Sequence, residues 1–433
     1  MKSKSMNLLQ KACLVIYLFM AIFQPNILGV GTFKLILLVD FAVFAFLVVK
    51  YQRVLFNKKV MMLFAGFLPF VLYLFVSAMI HILKYPGNAG IYMSNFTGAV
   101  LPLFQCMILG LVMVLLIKVK GIEYSEIENA LLFVSLIQLG CVLLALFVPQ
   151  IRTMFIDIML RDTDASRISD FLRFGSTRMY GLSRNLFDLF GYIVSILITL
   201  VFLKGVSENK NIYKLISVVL LIIPLLNART GLVLALVGFA VVLAFYFTPK
   251  KLPLYAVGGV AAVVCVIVFF SLLPEKNAEW LTKGFDDTVT YLKTGEKVGV
   301  YSEILGKDIV YPSNMVFGEC GAPEALRNYS GIDSGYIQCL WRYGIIGSAF
   351  LFFGYINMFL IAAFRNKSKK ACCMMAVLAM LFFVYLFKLY ALDNAGANIL
   401  VFGIPLSLLA CEKFEDNKKR NLLRLMVKRR LCK

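Results

Sequence analysis

The sequence predicts an all-α polytopic membrane protein with about twelve transmembrane helices, both termini cytoplasmic, and two larger outer loops that carry amphipathic helices. Three observations point there. Of 433 residues, 61% are hydrophobic and only 16% are charged, against roughly 45–50% apolar and about 25% charged in a soluble domain. The apolar runs recur from residue 8 to residue 411, which excludes a single soluble domain with an anchor. Lys and Arg gather in alternate connections between those runs, the bias expected of cytoplasmic loops.

Each element follows from length. A bilayer core about 30 Å thick takes roughly 20 apolar residues per helix. The runs at about 8–24, 33–49, 60–83, 96–117, 128–149, 185–204, 212–227, 229–247, 254–273, 336–364, 371–390 and 396–411 qualify. Only the polar stretch Asn227–Thr230 separates the seventh from the eighth, so that pair is the weakest point of the count. The organisation is then helices one to five over 1–149, an Arg-rich outer loop at 150–184 and helices six to nine over 185–273. A large outer loop at 274–335, helices ten to twelve over 336–411 and a basic cytoplasmic tail at 412–433 complete it. The first run lacks a small-residue cleavage site after it and is expected to stay as a span.

With the N-terminus inside, the short inner segments hold Lys2, Lys4 and Lys11; Lys50, Arg53, Lys58 and Lys59; Lys118 and Lys120; Lys204, Lys210 and Lys214; Lys250 and Lys251; and Arg365, Lys367, Lys369 and Lys370. Nine more basic residues follow position 411. The net charge of +20 is therefore mainly a topology signal, and nucleic acid is not an expected partner. The ten cysteines lie mostly inside apolar runs, without a CxxC or a His/Cys cluster, so no metal and no cofactor is expected. Cys320 and Cys339 are a candidate pair only if they face an oxidising compartment.

The soluble mass falls on the outer face. In the first outer loop, Ile151, Met154, Phe155, Ile158 and Met159 recur at helical spacing, with Arg152, Asp157 and Arg161 on the polar side. An amphipathic helix in the outer interface is expected there. The same loop holds Arg152, Arg161, Arg167, Arg173, Arg178 and Arg184 and no lysine. Arg presents a planar fork that grips phosphate bidentately, whereas Lys is a point charge. Recognition of a phosphorylated lipid headgroup and a set of snorkelling cations both fit the loop as a whole; Arg178 and Arg184 favour recognition.

Arg229, in LLNARTGLVLAL, stands at the outer mouth between two spans, where the helix dipole opposes a cation and ionisable residues point to function. Asp40, in the middle of the second span, reads better as a hydrogen-bonding residue between helices than as a proton relay. His81, the single histidine, reads as structural. Asn95-Phe-Thr97 and Asn328-Tyr-Ser330 match the glycosylation sequon, a pattern that arises often by chance. Glycines at 318, 321, 331 and 335 imply tight turns before a helix near 336. Asp333 or Ser334 can cap that helix, with a site role for Asp333 the alternative.

Three segments together resemble the O-antigen polymerase/ligase superfamily of membrane glycosyltransferases (the Wzy and WaaL type). They are Arg178-Met-Tyr-Gly181-Leu-Ser-Arg184-Asn185 running on to Gly191, Asn227-Ala-Arg229-Thr-Gly231, and Phe317-Gly318 through Asp333-Ser-Gly335-Tyr336 to Tyr343-Gly344-Ile-Ile-Gly347. Their order and loop positions carry the likeness, which covers most of the chain. The resemblance implies metal-independent transfer of a glycan from undecaprenyl pyrophosphate to a sugar hydroxyl, at the outer face of the bacterial cytoplasmic membrane. It implies an undecaprenyl-pyrophosphate-linked oligosaccharide and membrane lipids as partners, with a chain-length regulator as a further one. Fixed guanidinium donors would stabilise charge on the departing phosphate. Arg178, Arg184 and Arg229 are the expected catalytic residues, and Arg173, Asn185, Asp333 and Tyr336 the expected substrate-binding residues. The Arg-x10-Gly pattern of some polymerases is absent from the Arg-rich loop, and no general base is assigned. Ligases commonly carry a histidine near the place of Asp333–Tyr336. Its absence here favours a polymerase over a ligase. A lipid-linked oligosaccharide flippase is the alternative from another class, though such transporters keep short loops and place charges deep in the bundle.

Overall fold

The computed structural model describes residues 6–26, 38–46, 49, 58–120, 122–160, 178–185, 187–248, 271, 273–296, 311–312, 314–319, 334–366, 368–388, 390 and 396–409. Among these residues every regular element is helical. In chain order they are α1 (Leu8–Phe23), α2 (38–46), α3 (Lys58–Ala65), α4 (Leu68–Lys84), α5 (Ala89–Lys120), α6 (Tyr124–Phe147) and α7 (Pro149–Leu160). Then follow α8 (Phe187–Ser207), α9 (Asn211–Leu220, extended by a turn at Ile222–Leu225), α10 (Arg229–Tyr246) and α11 (Glu275–Thr294). The last are α12 (Gly335–Asn366), α13 (Lys369–Tyr385) and α14 (Gly396–Leu409).

Among the described residues six helical stretches are long and apolar enough to cross a bilayer: Val60–Lys84, Pro86–Val114, Tyr124–Phe147, Asp188–Ser207, Arg229–Tyr246 and Gly335–Asn366. Leu8–Phe23, Asn211–Leu225 and Gly396–Leu409 are apolar but shorter. The chain is thus an all-α membrane protein. The expected run at 254–273 lies almost wholly outside the described residues, and of the run at 33–49 only 38–46 and residue 49 are described. The doubtful pair at 212–247 is two helices. Asn227 and Ala228 leave the helical path, because their neighbourhood is used to anchor another segment, as shown below.

The contacts sort the helix ends into two groups. At one end the Met6 amide donates to Glu126 of α6 (3.2 Å), and Lys370 of α13 pairs with Glu128 (2.6 Å) and lies 3.9 Å from Glu208 after α8. Lys204 of α8 donates to Asn129 there, and Asn366 of α12 donates to the Leu408 carbonyl (3.3 Å). The starts of α1, α6 and α13 and the ends of α8, α12 and α14 therefore share this ion-pair end. The opposite ends of the same helices gather around the arginines. An up-and-down bundle of this kind alternates its helix ends by construction.

α8 and α10 cross at Gly191 and Gly231, where a Cβ added to Gly231 would lie 2.6 Å from the Gly191 Cα. Small residues at a crossing let two backbones approach closely in a membrane. Asp40 does what the better reading of it requires: Tyr17 of α1 donates to both of its carboxylate oxygens at 3.0 Å, joining α1 to α2. The His81 ring N–H donates to the Ser77 carbonyl (2.8 Å), a local structural bond.

α7 forms directly after α6, with Pro149 as its first residue, a position where the missing N–H costs nothing. Phe155 and Met159 are buried and Ile151 and Ile158 pack against the core. Met154 corrects the expected stripe. At about 100° per residue it falls on the stripe's edge, and it is exposed.

Candidate functional site

The site is built on an irregular strand of chain, residues 178–185, laid across the arginine end of the bundle. Buried non-helical backbone needs partners for every N–H and C=O. Side-chain amides supply several. Asn227 donates through Nδ2 to the Met179 carbonyl (2.6 Å), and the Met179 amide donates to the Leu226 carbonyl (3.2 Å). Gln138 of α6 donates to the Tyr180 carbonyl (2.7 Å). The Arg184 amide donates to the Phe23 carbonyl (2.9 Å), and Asn185 Nδ2 donates to the Ile22 carbonyl (3.0 Å), both at the end of α1. Ser183 Oγ accepts from the Asn185 amide (3.1 Å), closing a tight turn. Gly181 takes a φ of +58°, and a Cβ there would lie 2.8 Å from Gln138 Nε2. Glycine suits both demands.

Asn227 is the hinge of the arrangement. It joins the segment carrying Arg178 to the start of α10, whose first residue is Arg229. The Arg229 guanidinium is half-buried, and Asp287 and Arg178 both stand close enough to act on it, the first favouring its charge and the second opposing it. Asp287 belongs to α11, so the second long loop brings a carboxylate to the same place. The first long loop contributes too. Arg152 of α7, Arg178 and Gly181 line a small open cleft with Phe155, Met159 and Tyr180. Both loop helices therefore come to the arginine end.

Beside Arg229, Thr230 donates to Asp188 Oδ1 (2.6 Å) in the first turn of α8, where the helix dipole favours a carboxylate. Lys388, in the turn after α13, lies 4.0 Å from Asp188 Oδ2.

The structure thus brings together Arg178 and Arg229 and adds Arg152. Arg184 is half-buried on the same segment as Arg178, and its backbone is tied to α1. Asn185 is buried and its side-chain amide is occupied by Ile22, which makes it an anchor of the segment. Tyr336 begins α12. Its hydroxyl donates to the Phe383 carbonyl (2.8 Å), its amide donates to the Leu386 carbonyl (3.2 Å), and its ring packs on Phe387. It locks α12 to the end of α13. Arg161, Arg167, Arg173, Cys320, Asn328 and Asp333 lie outside the described residues; Ser334 precedes α12 and its carbonyl accepts the Gln338 amide (3.0 Å).

Phe317-Gly318 and Tyr343-Gly344, two parts of one long motif, are in contact. α12 breaks at Gly344, whose φ of 64° and ψ of −173° only glycine adopts easily. Residues 314–319 fill the break. The Ile345 amide donates to the Met315 carbonyl (2.8 Å), the Ile346 amide to Val316 (3.2 Å), and the Glu319 amide to Trp341 (2.9 Å). Tyr73 of α4 donates to the Phe317 and Tyr343 carbonyls at 2.9 and 2.8 Å. Non-helical backbone at membrane depth is tolerated where protein satisfies it in this way.

No protein-family model matches the chain, and no curated protein matches it.

Three residues join the candidate site that were not singled out from the sequence: Asp188, Asp287 and Lys388. Lys388 was legible, since it is a cation inside an expected span. Asp188 and Asp287 had no such signal. A carboxylate in a first helical turn and one on a polar loop helix are both ordinary.

Proposed function

We propose that this chain is a polysaccharide polymerase of the O-antigen polymerase/ligase type, acting on undecaprenyl-pyrophosphate-linked repeat units at the outer face of a bacterial cytoplasmic membrane. On this reading the chain crosses the membrane about twelve times, with both termini and the ion-pair end in the cytoplasm and the arginine end outside. The observation that carries it is the convergence of Arg178 and Arg229, from two separate motifs, at one end of the bundle. Two like charges brought together in a partly buried place repel each other. Asp287 offsets part of that repulsion at Arg229, and a doubly charged anion such as a leaving pyrophosphate is attracted by both guanidinium groups.

The chemistry asked of the site is modest. The bond between the anomeric carbon and the pyrophosphate oxygen breaks, a bond to an acceptor sugar oxygen forms, and the hydroxyl proton leaves. Arg178 and Arg229 stabilise the negative charge on the departing pyrophosphate with donors held in a partly buried place. Arg152 in the adjoining cleft holds the same headgroup before transfer. Arg184 belongs to the same basic rim, and Asn185 and Tyr336 hold the elements that carry it. O-antigen, capsule and exopolysaccharide repeat units all fit this chemistry.

The test is the profile of lipid-linked and surface glycans in cells lacking the gene, by gel and mass spectrometry. Single repeat units still delivered to the surface support polymerisation as the missing step. Finished polymer stranded on undecaprenyl pyrophosphate makes the protein a ligase, and repeat units trapped on the inner leaflet make it a flippase. In the complementing strain, Arg229→Ala should abolish polymer at normal membrane abundance. Normal polymer from that variant removes Arg229 from the site.

A further inference from the structure

The transfer just proposed leaves one proton without a destination. The acceptor hydroxyl must lose it as its oxygen bonds to the anomeric carbon. A guanidinium has donors only, so Arg152, Arg178 and Arg229 cannot take it. Among the described residues two carboxylates are joined to the start of α10. Asp287 acts on the Arg229 guanidinium, and Asp188 accepts from Thr230. Asp287 is thus engaged with the group that meets the leaving pyrophosphate. In a single displacement the acceptor oxygen enters opposite the leaving oxygen, so the base belongs away from that guanidinium.

The fold sets Asp188 at the right level. It stands in the first turn of α8, and Arg229 is the first residue of α10. The two helices cross at Gly191 and Gly231. At about 1.5 Å of rise per residue, Asp188 lies about 4.5 Å and Arg229 about 3 Å along their axes from that crossing, towards the same end. The bond from Thr230 to Oδ1 (2.6 Å) fixes the carboxylate and occupies one of its oxygens. Oδ2 accepts no hydrogen bond among the described residues. Lys388 Nζ stands 4.0 Å from it, and the lysine and aspartate side chains are 22% and 25% exposed. The ammonium balances the charge of the carboxylate without occupying that oxygen, and solvent reaches both.

We propose that Asp188 is the general base of the transfer. Its Oδ2 takes the proton of the acceptor hydroxyl while the acceptor oxygen bonds to the anomeric carbon. The pyrophosphate departs with the electron pair of the bond that breaks, and the carboxyl then returns its proton to solvent. Donor and acceptor are those of the polymerase reading, on which this assignment rests.

The experiment follows glycan transfer and binding of undecaprenyl pyrophosphate in parallel, with the full-length protein in nanodiscs and lipid-linked repeat units as substrate. D188N keeps an oxygen for Thr230 but cannot take the proton. Its turnover should fall at least about 100-fold, with the Kd for undecaprenyl pyrophosphate within about twofold of the unaltered protein, and D188E should recover part of the loss. Near-normal turnover in D188N overturns the proposal. Loss of binding in step with turnover also overturns it and makes Asp188 a structural anchor. Sodium azide supplies a readout that a structural role would not move. Azide is an anionic nucleophile with no proton to lose, so D188A with azide should release pyrophosphate and form a glycosyl azide, detected by mass spectrometry. If D188A does not reach the membrane, D188N with azide carries the same readout. No glycosyl azide from the variant that reaches the membrane overturns the assignment. Transfer by the unaltered protein to an acceptor other than a repeat unit rejects the polymerase reading alone, and D188N then tests the base on that acceptor. No transfer at all by the unaltered protein rejects that reading and the role of Asp188 with it.

Discussion

Residues 178–185 place Arg178 only because neighbouring side chains satisfy their backbone, so the anchors should matter as much as the arginine. Asn227→Ala leaves the buried Met179 carbonyl without its amide donor, a loss of about 1–3 kcal/mol. It is expected to lower the thermal midpoint of the purified protein and, on the polymerase reading, to reduce polymer formation by loosening the segment that carries Arg178. An unchanged midpoint would mean that the Asn227 bond contributes nothing to the segment. Gly181→Ala tests the same segment from its backbone. The left-handed φ costs an alanine about 1–2 kcal/mol, and its Cβ meets Gln138 Nε2. Arg229 was singled out in the sequence because an arginine at a helix mouth is conspicuous, and Arg178 because it belongs to a loop rich in arginine and without lysine. The roles of Asn227 and Gln138 were not, since an amide that supports distant backbone looks like any other polar residue until the chain is folded.

At the scale of elements, the break in α12 is the feature that hydropathy could not reveal. Gly335–Asn366 reads as one apolar run, and its 32 residues exceed what a single straight span needs. The extra length is accounted for by a helix that stops at Gly344 and restarts, with the loop at 314–319 bonded into the gap. Gly344→Ala forces a side chain into a φ/ψ region that costs about 1–3 kcal/mol and against the Gly318 backbone. Gly318→Ala meets the Gly344 amide at 2.5 Å. Both variants should yield less monodisperse protein by size exclusion, and the double variant should be no worse than the sum of the two if the contact is the shared cause of both. Gly231→Ala, with its Cβ 2.6 Å from the Gly191 Cα, should separate α8 from α10 and so lower activity through Arg229 and Thr230. Full activity with unchanged stability would show that the crossing tolerates a methyl group.

For the whole molecule, the division into an arginine end and an ion-pair end turns topology into a measurable quantity. An epitope inserted after Gly295 should bind antibody on intact spheroplasts, and one after Asn209 only after permeabilisation. The opposite pattern would put the arginine end in the cytoplasm and end the proposal of an outer-face enzyme. The ion-pair end also has an energetic test. Lys370→Met removes the closest partner of Glu128, which is 10% exposed, and leaving a buried charge uncompensated costs about 3–5 kcal/mol in a fully dry site. Partial exposure of Lys370 lowers that figure, to roughly 2 kcal/mol. Lys370→Met with Glu128→Gln should recover most of the loss, as read from thermal midpoints in detergent. No recovery would mean that the pair does not couple the two helices.

What the sequence by itself determined is the class of molecule and the place of most of its apolar helices. Apolar runs of bilayer length and basic residues in alternate connections act through partition between water and lipid, which depends on local composition and needs no knowledge of which helix touches which. The amphipathic helix after Val148 and the separate helices flanking Asn227 belong to the same level. Tertiary structure alone decided that Arg178 and Arg229 share a place, that Gly318 and Gly344 touch, that Thr230 donates to Asp188, and that Tyr336 spends its hydroxyl on Phe383. Those outcomes depend on distances between residues far apart in the chain, and such distances are set by how helices pack once they are in the membrane.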